Sequence, residues 1–317
     1  MTRKLWKVLA DYFFEPVSPY PLALFRILFG FCVFATLFLL HADWLAWFGV
    51  HGWVSMETIS KAESGFRLNL FSVIPHHDDW ISGLYWMLLV ASITLTLGLG
   101  TRLSAILVYL GMNSLNQRNP LILHGGDTFL RAAGFFLMFA PSGAALSLDN
   151  AFRRVFRPHG HLMIRTISPW AQRLIQYQLA IVYLASFWWK AKGAPWWNGT
   201  ALYYVINLRE IRRFPLPHFF HDPWAFHLGT WLTLCFELGF PVLVWFKRFR
   251  PACLIAGLCF HLCLEYALNI PMFQWDMLCA YVLFLDASRL SIFGLPARSA
   301  EYSCHEGTLP PTLAKSN

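Results

Sequence analysis

Lys190 closes an apolar run in "YLASFWWKAKGAPWWNG" (183–199), with Trp188, Trp189, Trp196 and Trp197 close by. An amine kept out of water gives up its proton more readily, because burial disfavours the ammonium, and it can then serve as a base. Arg26, Asp127, Arg131, Glu237, His261, Glu265 and Asp276 also fall inside apolar runs. A charge at the centre of a bilayer costs at least about 2.5–3.5 kcal/mol, so each needs a partner or a task. His261 and Glu265 are four apart, which places the carboxylate to hold the imidazole. Asp127 and Arg131 have the same spacing and are placed to neutralise each other. Gln176, Tyr183 and Lys190 recur every seven residues, so a polar stripe climbs one helix face to the lysine. "CFHLC" (259–263) has the look of a metal site, but it lies within one apolar run and lacks a second ligand cluster. "HHDD" (76–79) reads as a solvated loop. No metal is expected, and GxSxG, Walker and HExxH motifs are absent.

The elements that carry these residues are membrane spans. The 317 residues are 57% hydrophobic and only 13% charged, against about 25% in soluble chains. Apolar runs of spanning character fall at roughly 22–40, 81–99, 103–116, 128–146, 171–190, 226–246, 251–269 and 272–287. The third and eighth are short and belong inside the bundle. The fold expected is an all-α polytopic bundle of about eight spans with two long interfacial loops, 41–80 and 191–225, on the outer face. A cytoplasmic segment, 1–20, precedes the membrane domain, 21–287, and a polar cytoplasmic tail, 288–317, follows it. With both termini inside, fourteen Lys and Arg fall in the inner segments and eight in the outer ones, as the positive-inside rule requires. The eight outer charges include Arg67 and Arg118. The N-terminal stretch lacks a cleavage site, so the first span is expected to be an uncleaved anchor.

The net charge of +8 does not indicate nucleic acid, since no basic block is long enough and the cations sit at span ends. By that topology Asp127, Lys190, His261, Glu265 and Asp276 gather toward the outer face, with Glu237 near mid-span. Arg26 lies in the inner half.

The order of "PLALFRILFG", "NQRNPLILHGGDTFLR", "LSLD", "QLAIVYLASFWWKAKGAPWWNGTALYYV", "FELGFPVLVW" and "FHLCLEYALNIPMFQWDML" resembles the HTTM family, over roughly residues 18–287. This family includes the membrane domain of vitamin K-dependent γ-glutamyl carboxylase and stand-alone bacterial relatives. The resemblance implies that Lys190 is the base that deprotonates a reduced quinone of the vitamin K type, and that His261 lines the same pocket. Lys190 and His261 are thus the candidate catalytic residues. Tyr183, Glu237, Asp127, Glu265 and Trp196 are the candidate substrate contacts. Two departures stand out. Where the carboxylase carries an Asn-His pair, this chain reads Gly125-Gly126 between His124 and Asp127. It also ends soon after its last span, without the carboxylase's lumenal domain, so carboxylation of a protein is not implied. The expected location is a bacterial cytoplasmic (inner) membrane.

Three functions fit these residues: a quinol- or lipid-dependent enzyme, a non-enzymatic factor that binds a lipid or secreted peptide or assists its maturation, and a transporter. The absence of an inverted repeat disfavours the third.

Overall fold

The computed structural model describes residues 2–62, 69–156 and 166–286. The tail expected at 288–317 lies outside them, as do Arg67, Arg157, Arg165, Arg289, Arg298 and Lys315 of the charge count. The described chain is all-helical. In order it forms α1 (Thr2–Phe14), α2 (Tyr20–Leu39), α3 (Trp44–Phe48), α4 (Met56–Ala62), α5 (Asp78–Leu97), α6 (Thr101–Arg118) and α7 (Gly125–Phe139). There follow α8 (Leu148–Phe156), α9 (Trp170–Lys190), α10 (Ala194–Trp197), α11 (Ala201–Asn207), α12 (Pro223–Leu243), α13 (Arg250–Ala267) and α14 (Phe273–Cys279), which runs into a 3₁₀ turn, Ala280–Phe284.

Each of the eight apolar runs falls on a helix. By length and composition, α2, α5 and α12 can each cross a membrane. The third run, expected to be short, forms the 18-residue α6; it is α7, with 15 residues, that is too short to span a bilayer alone, as is α14 with its 3₁₀ turn, expected to be short. Both are packed inside: Phe129, Leu130 and Ala133 of α7, Met277 and Cys279 of α14 and Ala280 of the 3₁₀ turn are buried.

The core centres on α2. Leu22, Phe25, Phe29, Val33 and Leu37 recur at three- and four-residue steps and are all buried. They meet Leu84, Leu88, Ala91 and Leu95 of α5, Phe129 of α7 and Leu283 of the 3₁₀ turn in one cluster. The outer helix faces stay apolar: Phe31 and Phe38 of α2, Ile181 and Leu184 of α9, and Leu228, Leu232 and Val242 of α12 are exposed. Exposed apolar faces of this extent belong against lipid.

The helix ends form two groups. At one end, Tyr20, Ala23 and Ala145 pack together with Leu285 beside them, and Val17 pairs with Ile167. At the other end the long loops fold back on the bundle. Trp44 donates its indole N–H to the Ile81 carbonyl at 3.1 Å. Arg118, counted in the sequence as an outer-loop charge, is instead buried, donating to the carbonyls of Val54 at 2.8 Å and Gly49 at 3.1 Å. Residues 49–54 of the 41–80 loop supply those acceptors, which anchors that stretch to α6.

Candidate functional site

The last two turns of α9 place Tyr183, Ser186 and Lys190 on the face turned toward α12, as spacings of three, four and seven dictate. Lys190 Nζ donates to Glu237 Oε1 at 2.5 Å and to Ser186 Oγ at 2.6 Å. Ser186 Oγ–H donates to the same carboxylate oxygen at 3.0 Å. Both donors therefore converge on Oε1, while Oε2 is buried and has no hydrogen-bond partner among the described residues. The Glu237 side chain is 5% exposed and that of Lys190 25% exposed, so the pair runs from the interior to the rim. The Trp196 ring lies 5.3 Å from the ammonium. Helix α10 holds this ring in place: Trp197 Nε1 donates to the Ala191 carbonyl at 2.6 Å, and Trp231 Nε1 to the Trp197 carbonyl at 3.2 Å.

Lys192 points elsewhere. It is exposed, over the rings of Trp189 at 3.9 Å and Trp188 at 5.5 Å. A cation stacked on exposed Trp is an interfacial anchor.

About two turns below Lys190 lies a second polar group. Tyr183 OH is 2.6 Å from His261 Nε2 and 2.7 Å from Tyr281 OH, and His261 Nδ1 is 2.6 Å from Gln274 Oε1. With the Gln274 amide oriented this way, Nδ1–H donates to it and Nε2 accepts from Tyr183, whose oxygen accepts from Tyr281. The four side chains thus form one directed chain across α9, α13, α14 and the 3₁₀ turn. His261 is 1% exposed with both nitrogens taken. In this arrangement it positions Tyr183. Phe236, beside Glu237, packs on the Tyr183 ring at 5.3 Å and connects the two groups.

The structure corrects two pairings expected from spacing. Glu265 does not hold His261; its carboxylate is ion-paired with Arg213. The 211–213 segment runs along the end of α13, with Asn269 N–H donating to the Ile211 carbonyl and Arg213 N–H to that of Ala267, and this delivers the guanidinium to Glu265. Asp127 does not pair with Arg131 either. Its Oδ2 accepts from the His124 backbone N–H at 3.0 Å, and His124 Nδ1 accepts from Gly126 N–H at 3.1 Å, closing a capping box at the start of α7. A cap that satisfies free helix N–H groups wins over an ion pair on the flank of the same helix.

His124 and Asp127 line a cavity of about 240 Å³ with Leu40, Trp47, Leu115 and Met272, at the same end as Lys190. Asp276 lies buried beside the Cys32 thiol, behind this cap. Its approach depends on Gly126, where an added Cβ would stand 2.6 Å from Asp276 Oδ2. Phe273 sits between the two imidazoles, 5.7 Å from the His124 ring and 6.3 Å from that of His261.

Spacing within single helices missed Ser186, Gln274, Tyr281 and His124. Ser186 carried a signal, being four residues before Lys190 on the same face. Gln274 and Tyr281 come from the last helical segment, and the linear pattern holds no trace of their pairing with α9 and α13.

The family model for the HTTM domain matches residues 14–288. No curated protein and no solved structure matches the chain. The matched span runs from the last residue of α1 to just past the last described residue, and so includes every side chain of the site. With its lipid-facing helices and buried polar groups, this chain is an integral membrane protein and belongs to the HTTM domain family.

Proposed function

We propose that the chain spans the membrane eight times, with both termini cytoplasmic in a bacterial inner membrane. We further propose that it is an enzyme acting on a lipid-soluble quinol at the outer face, with Lys190 as the base. The helix at each apolar run and the charge asymmetry, fourteen inner against seven outer once the buried Arg118 is set aside, support the topology. The Lys190–Glu237 pair is the observation that carries the chemistry.

In a low-dielectric setting a proton shared by an amine and a carboxylate can rest on either partner. When it rests on Glu237, the Lys190 amine is free to accept a proton from a quinol hydroxyl at the rim. The product state is an ammonium facing a quinolate, with Glu237 neutral behind it. The ammonium then stabilises the oxyanion that it has created. Ser186 keeps the amine aimed, and Trp196 offers an apolar wall for a ring. Tyr183, fixed by His261 and Tyr281, forms the floor. Asp127 and Glu265 are engaged in a cap and an ion pair, which makes them supports for the loops around the site.

The test uses purified protein in lipid nanodiscs with a reduced 1,4-naphthoquinone, because a quinolate is oxidised by dioxygen far faster than its quinol. Wild type should accelerate quinol consumption. Lys190→Ala and Lys190→Arg should both abolish the acceleration, since a guanidinium stays protonated, while Lys192→Ala should keep most of it. Activity retained in Lys190→Arg would show that only a positive charge is needed. A second reading draws on the largely apolar cavity beside His124: a membrane factor that binds a lipid or secreted peptide without chemistry. Saturable binding of the quinone with no acceleration in the wild type would establish it.

A further inference from the structure

The end of the bundle opposite Lys190 holds a cavity of about 300 Å³ between α9, the turn joining α12 to α13, and the chain leaving the 3₁₀ turn. Arg173, Lys247 and Arg250 line it, with Asp286 the one acid on its wall among the described residues. Arg250 Nη1 is bound to Asp286 Oδ1 at 3.0 Å, and Arg250 Nε to the Val244 carbonyl at 3.1 Å. Among the described residues the Arg173 guanidinium hydrogen-bonds the neutral Gln176 Oε1, at 3.2 Å, and its buried Nε has no acceptor. Lys247 is exposed and makes no ion pair within the described residues. Among the described residues the cavity therefore has two cations in excess, and Ser18 adds a hydroxyl to its wall.

Helix α1 lies next to it. Tyr12 receives the Arg173 guanidinium over its ring at 4.6 Å and touches Tyr177 at 6.4 Å, which fastens α1 to α9. Its remaining surface exposes Leu5, Trp6 and Leu9 together with Arg3, Lys4 and Lys7. An amphipathic helix of this composition lies in the plane of an anionic membrane surface. Arg173 thus joins a membrane-seated helix to a cavity that requires an anion. Basic pockets between spans on the cytoplasmic side hold the headgroups of anionic lipids.

We propose that this cavity binds the phosphate headgroup of an anionic membrane lipid, with Arg173 and Lys247 as its ligands. Arg250 shapes the wall and stays on Asp286. The leaflet, but not the site, rests on the topology proposed above. A free phosphate ion has the same chemistry, but the apolar face of α1 beside the opening favours an occupant with acyl chains.

The experiment titrates phosphatidylglycerol, phosphatidylcholine or inorganic phosphate into detergent-purified protein and follows binding by native mass spectrometry and thermal unfolding. Phosphatidylglycerol should bind and raise the unfolding midpoint, and phosphatidylcholine should do neither. Arg173→Gln with Lys247→Gln should weaken phosphatidylglycerol binding about thirtyfold, two cations contributing on this scale. Lys4→Gln with Lys7→Gln, which removes charge from α1 alone, should keep most of the binding. Lys190→Arg should leave it unchanged, so failure of the base assignment and failure of this site are told apart. Equal binding of both lipids would overturn the proposal, as would undiminished binding after the Arg173 and Lys247 changes. Full protection by inorganic phosphate alone would overturn the lipid as occupant.

Discussion

Two cations illustrate how the ends of this bundle differ. Arg26, inside α2, is 0% exposed and donates only to backbone: Nη1 to the Ser142 carbonyl at 3.3 Å and Nη2 to that of Leu146 at 2.5 Å. Those carbonyls belong to the connection between α7 and α8, where Leu146 has a φ of 49°. Three residues on, Asp149 accepts from Gly100 N–H at 2.8 Å, Thr101 N–H at 2.9 Å and Thr101 Oγ1–H at 2.8 Å. Gly98, at φ 71°, ends α5 directly against Arg26. The whole arrangement is a clasp that ties α2, α5, α6 and α7 together. Lys190, by contrast, is held by a side chain that can itself take a proton, and its own side chain is 25% exposed. A guanidinium on carbonyls has one protonation state, whereas an ammonium on a carboxylate has an alternative within reach. The first geometry fastens; the second would suit the proton transfer proposed above.

The largest break in this comparison should come from Arg26→Met. It strands the buried Ser142 carbonyl and the part-buried one of Leu146, at about 1–3 kcal/mol for a buried group left unpaired, so a loss of about 3 kcal/mol or failure to fold is expected in thermal unfolding of the detergent-solubilised protein. A variant as stable as wild type would end the clasp. Tyr183→Phe is expected to cost about 1–2 kcal/mol, since it removes the donor to His261 and the acceptor for Tyr281. A neutral result there would mean that the chain of hydrogen bonds is not formed.

Asp149→Asn should cost about 1 kcal/mol, as capping losses do. It should also change the acid limb of stability. Burial alone would raise the Asp149 carboxyl, but the Thr101 and Gly100 hydrogen bonds and nearby Arg153 outweigh it and hold it below its ordinary value of 3.8. A lowered native value means that its contribution is present above pH 3.8 and is lost as pH falls below that. Wild type should therefore lose stability faster than Asp149→Asn below pH 3.8; parallel acid limbs would contradict the cap. The smallest effect is expected from Lys190→Met combined with Glu237→Leu. Replacing both members of a buried ion pair with apolar side chains is often neutral or stabilising, so a change under about 1 kcal/mol is expected alongside complete loss of quinol consumption. If this double variant is as unstable as Arg26→Met, the pair is a second fastening and the base assignment loses its structural support.

The motifs behind the family resemblance divide along the same line. "PLALFRILFG" and "LSLD" supply Arg26 and Asp149 to the clasp, whereas "FELGF" and "SFWWK" supply Glu237 and Lys190 to the rim. Nothing in their linear order separates the two roles, because both present a costly charge inside an apolar run.

Membrane class, a helix at each of the eight apolar runs and the face of α9 that carries Gln176, Tyr183 and Lys190 follow from the sequence alone. Hydrophobic runs and helical periodicity are local, and a bilayer leaves few other backbone solutions. Partner choice was decided only by the tertiary structure. Glu265 went to Arg213 rather than His261, Asp127 to the cap of α7 rather than Arg131, and His261 to Tyr183 and Gln274. In each case a group brought in from another segment, or an unsatisfied helix end, competed with a neighbour four residues away. An exposed pair at that spacing is worth only about 0.2–0.5 kcal/mol, whereas leaving a buried donor or acceptor unpaired costs about 1–3 kcal/mol. Satisfying the buried groups therefore set the pairing, and which groups are buried together is known only once the helices have packed.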